Sequence, residues 1–433
     1  MKISFVGTGY VGLVSGVMMS HLGHEIVCLD VDESKIIKLK NKEAPIYEPD
    51  LDKYIEKYAN TQSLQFVHEY DSTIANSDCL FITVGTPSKE NGDADLSGVF
   101  QAVASASNYI SPECVIVLKS TVPPGTCQQV REFMQNKGVD INIVSNPEFL
   151  REGNAIKDFM EPDRIVIGTH SEYALNVMQE VYRPLTEQGV VLVATDLSTS
   201  ELIKYASNTF LANKIAFINE MADLCEIVGA DISALSRGVG LDKRIGGDFL
   251  CAGPGFGGSC FPKDILALQH LSNKVNSNFL ILDAVIKANS NRPNIMINKI
   301  STALGGSIKH KKLAILGLTY KAGTDDLRSS PAIDLINLLQ KEGADITAYD
   351  PEGMNNAVKY FDSLNCAESL YSAVKDSDAV IIATEWPEFQ TMDLNKIKTL
   401  VKIPNIIDLR NLFKPEEVTS LGFKYYSVGR KSD

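Results

Sequence analysis

Short apolar runs alternate with longer amphipathic stretches along the first half of the chain, a pattern typical of a parallel sheet covered by helices on both faces. The first two runs are Lys2–Val6 and Glu25–Asp30. Further runs, rich in β-branched residues, lie at Asp78–Val84, Cys114–Leu118, Ile141–Val144, Arg164–Ile167 and Val190–Ala194. This spacing predicts a doubly wound, Rossmann-like α/β domain over residues 1–196.

A long helical pattern follows this domain. Ser198–Glu201 has the capping-box pattern and no helix breaker follows before Gly229, which predicts a central helix of about 30 residues, or roughly 45 Å. Its apolar residues cover more than one face, so we expect burial by its own domain and by a second subunit, as a homodimer or a higher homo-oligomer. Another helical pattern over 281–291 ends at Arg292-Pro293, and residues 301–307 mark a boundary.

The last part of the chain repeats the strand order of the first domain. Its apolar runs lie at Lys311–Gly317, Asp345–Asp350, Asp378–Thr384 and Asn405–Leu409. We therefore predict an α/β protein with two Rossmann-like, doubly wound parallel-sheet domains, at 1–196 and 301–433. The long central helix and a small helical domain, 197–300, would join them. Gly317–Lys321 lacks the glycine spacing of a dinucleotide loop, so we expect the last domain to bind something other than a second dinucleotide.

Glycines follow the first strand in the dinucleotide-binding pattern G-x-G-x-x-G, at Gly7, Gly9 and Gly12. Asp30 ends the second strand, where a carboxylate accepts hydrogen bonds from the adenine ribose. Because that carboxylate would repel a 2′-phosphate, the motif favours NAD over NADP. The alternative interpretation is a tight strand-to-helix turn without a ligand.

A glycine-rich segment precedes Cys260 at a predicted helix start. Gly255, Gly257 and Gly258 let the backbone curl and leave room for a ligand, and Pro262 suits the first helical turn. The Cys260 sulfur would then lie at a helix N-terminus, where unpaired N–H groups favour thiolate over thiol. This predicts a nucleophile, and Asp264, one turn later, is placed to act as a base or to orient one. The alternative is a buried, inert cysteine.

Other polar residues lie at positions that suit a site. Lys204 and Asn208, four apart on the central helix, share a face, as two donors to a developing oxyanion would, although an exposed lysine is the simpler interpretation. Pro147 is expected to open a helix that places Glu148 and Glu152 on one face beside a nicotinamide. Candidates at strand ends are Thr86, Thr121, Lys321, Arg328 and Arg410, the last three suited to phosphate or sugar hydroxyls.

Composition narrows the functional classes. The formal charge of −13 argues against nucleic-acid and anionic-membrane partners. Eight cysteines without a C-x-x-C pair favour neither a disulfide framework nor a metal site. The N-terminus reads as a strand rather than a signal peptide, and no run of 18 apolar residues occurs. We expect a cytoplasmic protein.

The motifs in combination resemble the UDP-glucose/GDP-mannose dehydrogenase family. They are Gly7–Gly12, Ser120–Thr126, Asn146–Gly153, Lys204–Asn208, Gly255–Asp264 and Lys321–Arg328. The resemblance implies oxidation of a sugar C6 alcohol to a carboxylate with two NAD+, through a thiohemiacetal and a thioester on Cys260. It also implies that Lys204 and Asn208 stabilise the C6 oxyanion, that Asp264 supports proton transfer, and that Thr121 and Glu148 position water.

The resemblance further implies which residues contact the ligands. Those for NAD are Gly7, Gly9, Tyr10, Val11, Gly12, Asp30, Lys35, Thr86, Thr121, Glu152, Lys263 and Arg328. Those for the nucleotide sugar are Phe149, Leu150, Arg151, Lys204, Asn208, Phe249, Gly257, Tyr320, Lys321 and Arg410, with Arg244 reaching a neighbouring subunit's site. The domain at 301–433 would then bind the UDP-sugar.

Several alternatives stay open. Leu241–Gly246 with Phe249 favours the UDP-glucose branch of the family, whereas Lys321–Asp326 also fits the GDP-mannose branch. The branch for N-acetylated sugars fits less well, because Ser259 stands where a histidine is expected. A two-electron hydroxyacid dehydrogenase, which needs no nucleophile and forms one NADH, is a different mechanistic class. A non-enzymatic NAD-binding protein is a third class.

Overall fold

The computed structural model describes residues 1–61, 63–361 and 363–431, and it has two sheets, each in a separate compact unit of the chain. One unit comprises Met1–Ser207 and Leu266–Asn276, and the other Asn208–Ile265 and Ser277–Asp433. Two Rossmann-like sheets in an α/β chain are therefore confirmed. The division into three domains at 196 and 300 stays a prediction.

The first unit contains eight strands. They are β1 Lys2–Val6, β2 Glu25–Leu29, β3 Leu64–Val67, β4 Cys79–Ile82, β5 Val115–Leu118, β6 Asn142–Ser145, β7 Ile165–Gly168 and β8 Leu192–Thr195. Their order is β3-β2-β1-β4-β5-β6-β7-β8, and every neighbouring pair is parallel except β6 and β7. Strand β4 and its neighbour β5 are buried throughout, because helices cover both faces. The carboxyl ends of β1, β4, β5 and β6 lead into the predicted site loops.

Helices cover both faces of this sheet. They are α1 Tyr10–His21, α2 Glu33–Lys40, α3 Leu51–Ala59, α4 Ser97–Ala106, α5 Thr126–Gln135, α6 Ala155–Met160 and α7 Glu172–Thr186. One apolar core joins α1, α3, α6 and α7 to the sheet, and a second joins α4 and α5 to it. Helix α1 starts at Tyr10, directly after Gly9 of the glycine pattern.

The next helices carry the middle of the chain. They are α8 Leu197–Val228, α9 Ile232–Gly240, α10 Phe261–Lys274 and α11 Leu280–Ala303. The predicted length of the central helix α8 is confirmed at 32 residues. The predicted capping box is wrong: Asp196 accepts from the Thr199 amide at 2.9 Å, while Glu201 binds the amides of Gly125 and Cys127.

Helix α11 does not end before Pro293 as predicted. It continues to Ala303, because Met296 and Ile300 beyond the proline are buried in the core of the second unit. Pro293 has no N–H, so the helix lacks one backbone hydrogen bond there. Burial of Met296 and Ile300 stabilises the helix by more than this loss costs.

The second sheet has six parallel strands. They are β9 Lys312–Leu316, β10 Asp345–Tyr349, β11 Asn365–Cys366, β12 Ala379–Ile382, β13 Asn405–Asp408 and β14 Lys424–Ser427, in the order β11-β10-β9-β12-β13-β14. Helices of the same unit are α12 Pro331–Lys341, α13 Met354–Ala357, α14 Leu370–Val374, α15 Pro387–Gln390, α16 Leu394–Leu400 and α17 Pro415–Ser420. The order β10-β9-β12 corresponds to β2-β1-β4 in the first sheet. This correspondence explains why the apolar runs of the two parts of the chain follow the same order.

Asp350 follows β10 and fills the turn after β9. Its carboxylate accepts from the amides of Leu318 and Thr319 at 2.7 and 3.0 Å, from the Gly353 amide at 2.7 Å and from the Trp386 indole at 3.1 Å. Those two turn amides are therefore already occupied by a carboxylate of the chain itself.

Two negative findings apply to residues 1–61, 63–361 and 363–431. None of the helices there combines the length and the apolar character that a membrane span requires. No group of three or more histidine, cysteine, aspartate or glutamate residues among them could hold a metal ion.

We expect Asp350→Ala to destabilise the second unit by about 2–4 kcal/mol, because it leaves several buried amides without an acceptor. Trp386 is the one tryptophan of the chain and belongs to this unit, so its fluorescence reports urea unfolding there. Asp345→Ala, at the exposed start of β10, is the matched control and should change the free energy of unfolding by less than about 0.5 kcal/mol. Equal effects of the two substitutions would contradict the role given to Asp350.

Candidate active site

The predicted dinucleotide loop has the geometry that its glycines imply. Gly7 has φ +102°, and a Cβ there would lie 2.9 Å from the Thr83 carbonyl oxygen. A Cβ on Gly12 would lie 1.9 Å from the Gly7 carbonyl oxygen. Gly9, with Tyr10 and Val11 after it, leads into α1, and its position is open toward solvent or a ligand. The missing side chain at Gly9 thus leaves space beside the N-terminus of α1, where a pyrophosphate can bind.

Asp30 lies directly after β2 and is buried. It accepts from the Thr8 amide and hydroxyl at 2.7 and 2.8 Å, and Lys35 Nζ lies 3.4 Å away. Burial disfavours its charge, but hydrogen bonds from Asp32 and Thr8 outweigh burial and lower the pKa of Asp30. The ionised carboxylate fits the ribose hydroxyls of NAD, so the loop and Asp30 together suit this cofactor.

The helix predicted at Pro147 is absent. Residues 146–150 form an irregular loop, and the next helix, α6, begins only at Ala155. Glu148 and Glu152 are both buried but do not share a helical face. The physical reason is that Glu148 uses one oxygen to accept from the Leu150 amide at 2.6 Å, a local bond that competes with helix formation.

Glu148 forms a buried ion pair with Lys204 of α8. The Lys204 Nζ lies 2.8 Å from Glu148 Oε1, and both side chains are about 95% buried. Burial alone would raise the pKa of Glu148, but Lys204 more than compensates, so the pKa lies below its usual value. The alternative interpretation of Lys204 as an exposed lysine is therefore wrong, and the pair keeps a charged carboxylate at Glu148.

Lys119, which the sequence analysis did not single out, lies near the Glu148–Lys204 pair. It is fully buried, contacts Asn146 Oδ1 at 3.2 Å and Tyr182 Oη at 3.4 Å, and feels the charges of Glu148 and Lys204. Burial lowers the pKa of Lys119 to about 8. The available signal was a lysine directly between an apolar strand and the Ser120-Thr121 loop.

The remaining predicted residues of this unit lie around the same loops. Thr86 donates to the Thr121 carbonyl at 2.9 Å. The Arg164 guanidinium lies 3.5 Å from the Phe149 ring centre, and Arg151 forms a bidentate pair with Asp158, at 2.6 Å at its shortest. The first unit thus brings together the loops after β4, β5 and β6.

In the second unit, Cys260 occupies the cap position of α10. Its carbonyl accepts the first intrahelical bond, from the Asp264 amide at 2.9 Å, and its sulfur lies 3.4 Å from Ser259 Oγ. The side chain is half-buried. The predicted position of the thiol at a helix N-terminus is confirmed, and the geometry favours a thiolate.

Asp264 connects the other predicted catalytic groups of this unit. It is 1% exposed, accepts from Asn208 Nδ2 at 2.7 Å, and pairs with Lys263 Nζ at 2.6 Å. Both carboxylate oxygens are therefore occupied by donors. Asn208 keeps its amide oriented by Asp264, which suits a donor that must be placed before an oxyanion forms.

The glycines before Cys260 lie against the loop after β9. A Cβ on Gly257 would lie 2.1 Å from the Ser329 carbonyl oxygen, and one on Gly258 would lie 2.8 Å from the Tyr320 ring. Arg410 donates to the Tyr320 carbonyl at 3.0 Å. The second unit thus places Gly258, two residues before Cys260, against Tyr320, whose carbonyl Arg410 binds.

Some predicted contacts lie at the edge of this arrangement. Lys321 Nζ is 5.6 Å from the Tyr320 ring centre, and Arg328 forms a bidentate pair with Asp326. Phe249, at φ +64°, contacts the Phe261 ring at 6.1 Å between centres. The side chain of Arg244 is 89% exposed and pairs only with the nearby Asp242 among the contacts found, so it is not gathered with the others.

Comparison with known proteins identifies the family. Three models of the UDP-glucose/GDP-mannose dehydrogenase family match the chain: the NAD binding domain at 1–186, the central domain at 198–291 and the UDP binding domain at 314–415. The chain belongs to this family. It is accordingly an NAD-dependent dehydrogenase, as predicted, and its last α/β segment is of the UDP-binding type.

Similar proteins cover the whole chain. UDP-glucose 6-dehydrogenase of Rickettsia bellii is 55% identical over all of both chains, and that of Rhizobium meliloti is 49% identical over 99% of this chain and 100% of its own. Among solved structures, a UDP-glucose dehydrogenase from Pyrobaculum islandicum aligns with TM-score 0.92 and 35% identity over 100% and 98% of the two chains. A UDP-D-ManNAc dehydrogenase from Pyrococcus horikoshii aligns with TM-score 0.87 and 27% identity over 99% of both chains.

We expect Lys204→Met to destabilise the first unit by about 3–5 kcal/mol at pH 7, because it leaves the Glu148 carboxylate buried without its partner. The paired Glu148 has a lowered pKa, so its contribution is present above pH 4.5 and is lost as the pH falls below that value. Without Lys204 burial raises that pKa, so the penalty should shrink from pH 7 toward pH 4.5.

The double variant Lys204→Met/Glu148→Gln removes both charges and is the control. It should recover most of the lost stability in urea unfolding followed by circular dichroism. A penalty for Lys204→Met that is the same at pH 5 and pH 7 would contradict the buried pair.

Proposed function

We propose that the chain oxidises UDP-glucose at C6 to UDP-glucuronate in two NAD+-dependent steps. The observation that supports this most directly is Cys260 at the cap of α10 with Asp264 and Asn208 bonded to each other in the same unit. Full-length relatives about half identical to the chain bear the name UDP-glucose 6-dehydrogenase, which supports UDP-glucose as the sugar nucleotide.

The proposed chemistry begins at the C6 alcohol. NAD+, which the Gly7–Gly12 loop and Asp30 would hold, would supply the hydride acceptor for each of the two oxidations at C6. Lys204 and Asn208 stabilise the C6 oxyanion, and Asp264 supports transfer of the hydroxyl proton. The Cys260 thiolate adds to the aldehyde carbon, and the thiohemiacetal becomes a thioester when the second hydride leaves.

Hydrolysis completes the reaction. Glu148, held ionised by Lys204, and Thr121 position a water that attacks the thioester carbon. The carbon–sulfur bond breaks, the carboxylate is released, and the Cys260 thiolate is restored.

The test compares UDP-glucose, GDP-mannose and UDP-N-acetylglucosamine as substrates side by side, with NADH absorbance as the measurement. We expect UDP-glucose to have the highest kcat/KM and to yield two NADH per sugar oxidised. Fast turnover of GDP-mannose with none of UDP-glucose would move the chain to the other branch of the family. One NADH per substrate would instead support a two-electron dehydrogenase.

In the same assay, Cys260→Ala should lower the rate of acid formation by about a thousandfold or more while binding of both ligands persists. Cys251→Ala, an exposed cysteine of the same unit, is the control and should keep the wild-type rate. Glu148→Gln should accumulate a sugar-nucleotide adduct, found by mass spectrometry of the intact protein and mapped to Cys260. Near wild-type activity of Cys260→Ala would refute the thioester route.

We further propose that α8 forms a homodimer interface. Phe210, Phe217 and Leu224 follow each other at seven-residue spacing, and their side chains are 64%, 49% and 47% exposed. Apolar residues repeated every seven positions form a stripe along which one helix packs against another. A second copy of α8 has the same stripe, so the two copies can pack against each other. The exposed face explains why the apolar residues of this helix cover more than one side.

The double variant Phe210→Asp/Phe217→Asp should be monomeric at micromolar concentration in light scattering, because two carboxylates would be buried in the stripe. Ile37→Asp, on the exposed face of α2, is the control and should leave the dimer intact. A double variant with the mass of the wild type would exclude this face as the interface.

A further inference from the structure

The segment Ala252–Gly258, which leads to Cys260, is buried at every residue yet belongs to no helix or strand. Buried backbone polar groups without a regular ladder need other partners. The positions of these partners determine the path of the chain up to the thiol.

Side chains of two helices supply most of these partners. Asn289 of α11 accepts from the Phe256 amide at 2.9 Å and donates to the Phe256 carbonyl at 3.1 Å. Asn219 of α8 accepts from the Gly253 amide at 2.8 Å, and Arg292 of α11 donates to the Gly253 carbonyl at 2.9 Å. The N–H and C=O groups of both Gly253 and Phe256 are thus bound by side chains from outside the segment.

These side chains are themselves fixed. Arg292 is 2% exposed, and its Nη1 binds both oxygens of Asp223 of α8 at 2.6 and 2.7 Å. Asn289 and Arg292 are three residues apart on one helix face, and Asn219 and Asp223 are four apart on another. The segment is therefore held by two rigid helix surfaces rather than by its own turns.

The close approach also explains one of the glycines. Gly255 has φ +122°, and a Cβ on it would lie 2.9 Å from Asn289 Oδ1. A side chain at Gly255 would thus displace the amide that binds Phe256.

We propose that Asn289, assisted by Asn219 and Arg292, is a positioning residue that holds Ala252–Gly258 in the conformation that sugar oxidation at Cys260 requires. Its kinetic consequence rests on the proposed function. None of these three residues belongs to the groups assigned to catalysis or to ligand contacts, since they act on the backbone that carries Gly257 and Cys260.

Asn289→Ala removes both hydrogen bonds to Phe256. We expect amide hydrogen exchange in a peptide covering 252–260 to accelerate by about tenfold or more. In kinetics, the KM for UDP-glucose should rise by about tenfold and the KM for NAD+ should rise less, because the Gly7–Gly12 loop and Asp30 belong to the other unit and only Lys263 and Arg328 of the assigned NAD contacts belong to this one. A purely global loss of stability would shift both KM values and the exchange of the whole chain.

The matched control is Asn291→Ala on the same helix, where the side chain is exposed and does not bind the segment. Asn219→Ala is the second test variant, and it removes the Gly253 anchor should Asn289→Ala fail to fold. Exchange of 252–260 as slow in both test variants as in the control would overturn the proposal, whichever sugar the protein oxidises. A wild type that does not oxidise UDP-glucose would instead contradict the proposed function, and the exchange measurement would still decide the role of Asn289.

Discussion

Buried backbone amides outside helices and strands need acceptors, and this constraint shapes both units of the chain. Loops that carry site residues run through the interior because they must meet ligands at the carboxyl ends of the strands. Side-chain carboxylates and amides accept hydrogen bonds from individual backbone N–H groups of those loops. The residues that do so are Glu148 for Leu150, Glu201 for Gly125 and Cys127, Asp350 for Leu318 and Thr319, and Asn289 for Phe256. Mutating any of them should alter a loop conformation before it alters a core.

In both sheets a carboxylate after the second strand of the motif binds the turn after the first strand, but the surroundings of the two carboxylates differ. In the first, Asp30 binds Thr8 and remains open to a ribose; in the second, Asp350 binds Thr319 in the same way and is also covered by the Trp386 indole. Asp30 is 7% exposed and Asp350 is fully buried. Both units therefore have a buried carboxylate directly after the second strand of the motif, and in the second unit the Trp386 indole also binds it.

The sequence predicted the features that depend on local pattern. The apolar runs located most central strands, the glycine spacing located the loop around Gly7, and Pro262 located the helix start that places Cys260. Strand β14 was not predicted, because Lys424–Ser427 mixes polar and aromatic residues and pairs with β13 only in the folded sheet. The capping role expected for Glu201 was wrong, and the Glu148–Lys204 ion pair was not predicted, for the same reason: the partners lie more than fifty residues away, and no local spacing encodes them.

Three charged side chains of the first unit, Glu148, Lys204 and Lys119, are buried, and burial of charge costs stability. Glu148 and Lys204 offset each other, whereas burial, together with the charge of Lys204, lowers the pKa of the neighbouring Lys119 to about 8. A lysine near neutrality can release or retain its proton at little cost, whereas an ordinary exposed lysine cannot. Asn146 and Tyr182 hold it in place, and Asn146 also begins the loop that carries Glu148. Burying a lysine here costs stability, and its charge interacts with that of Glu148, the carboxylate to which the proposed reaction assigns the attacking water.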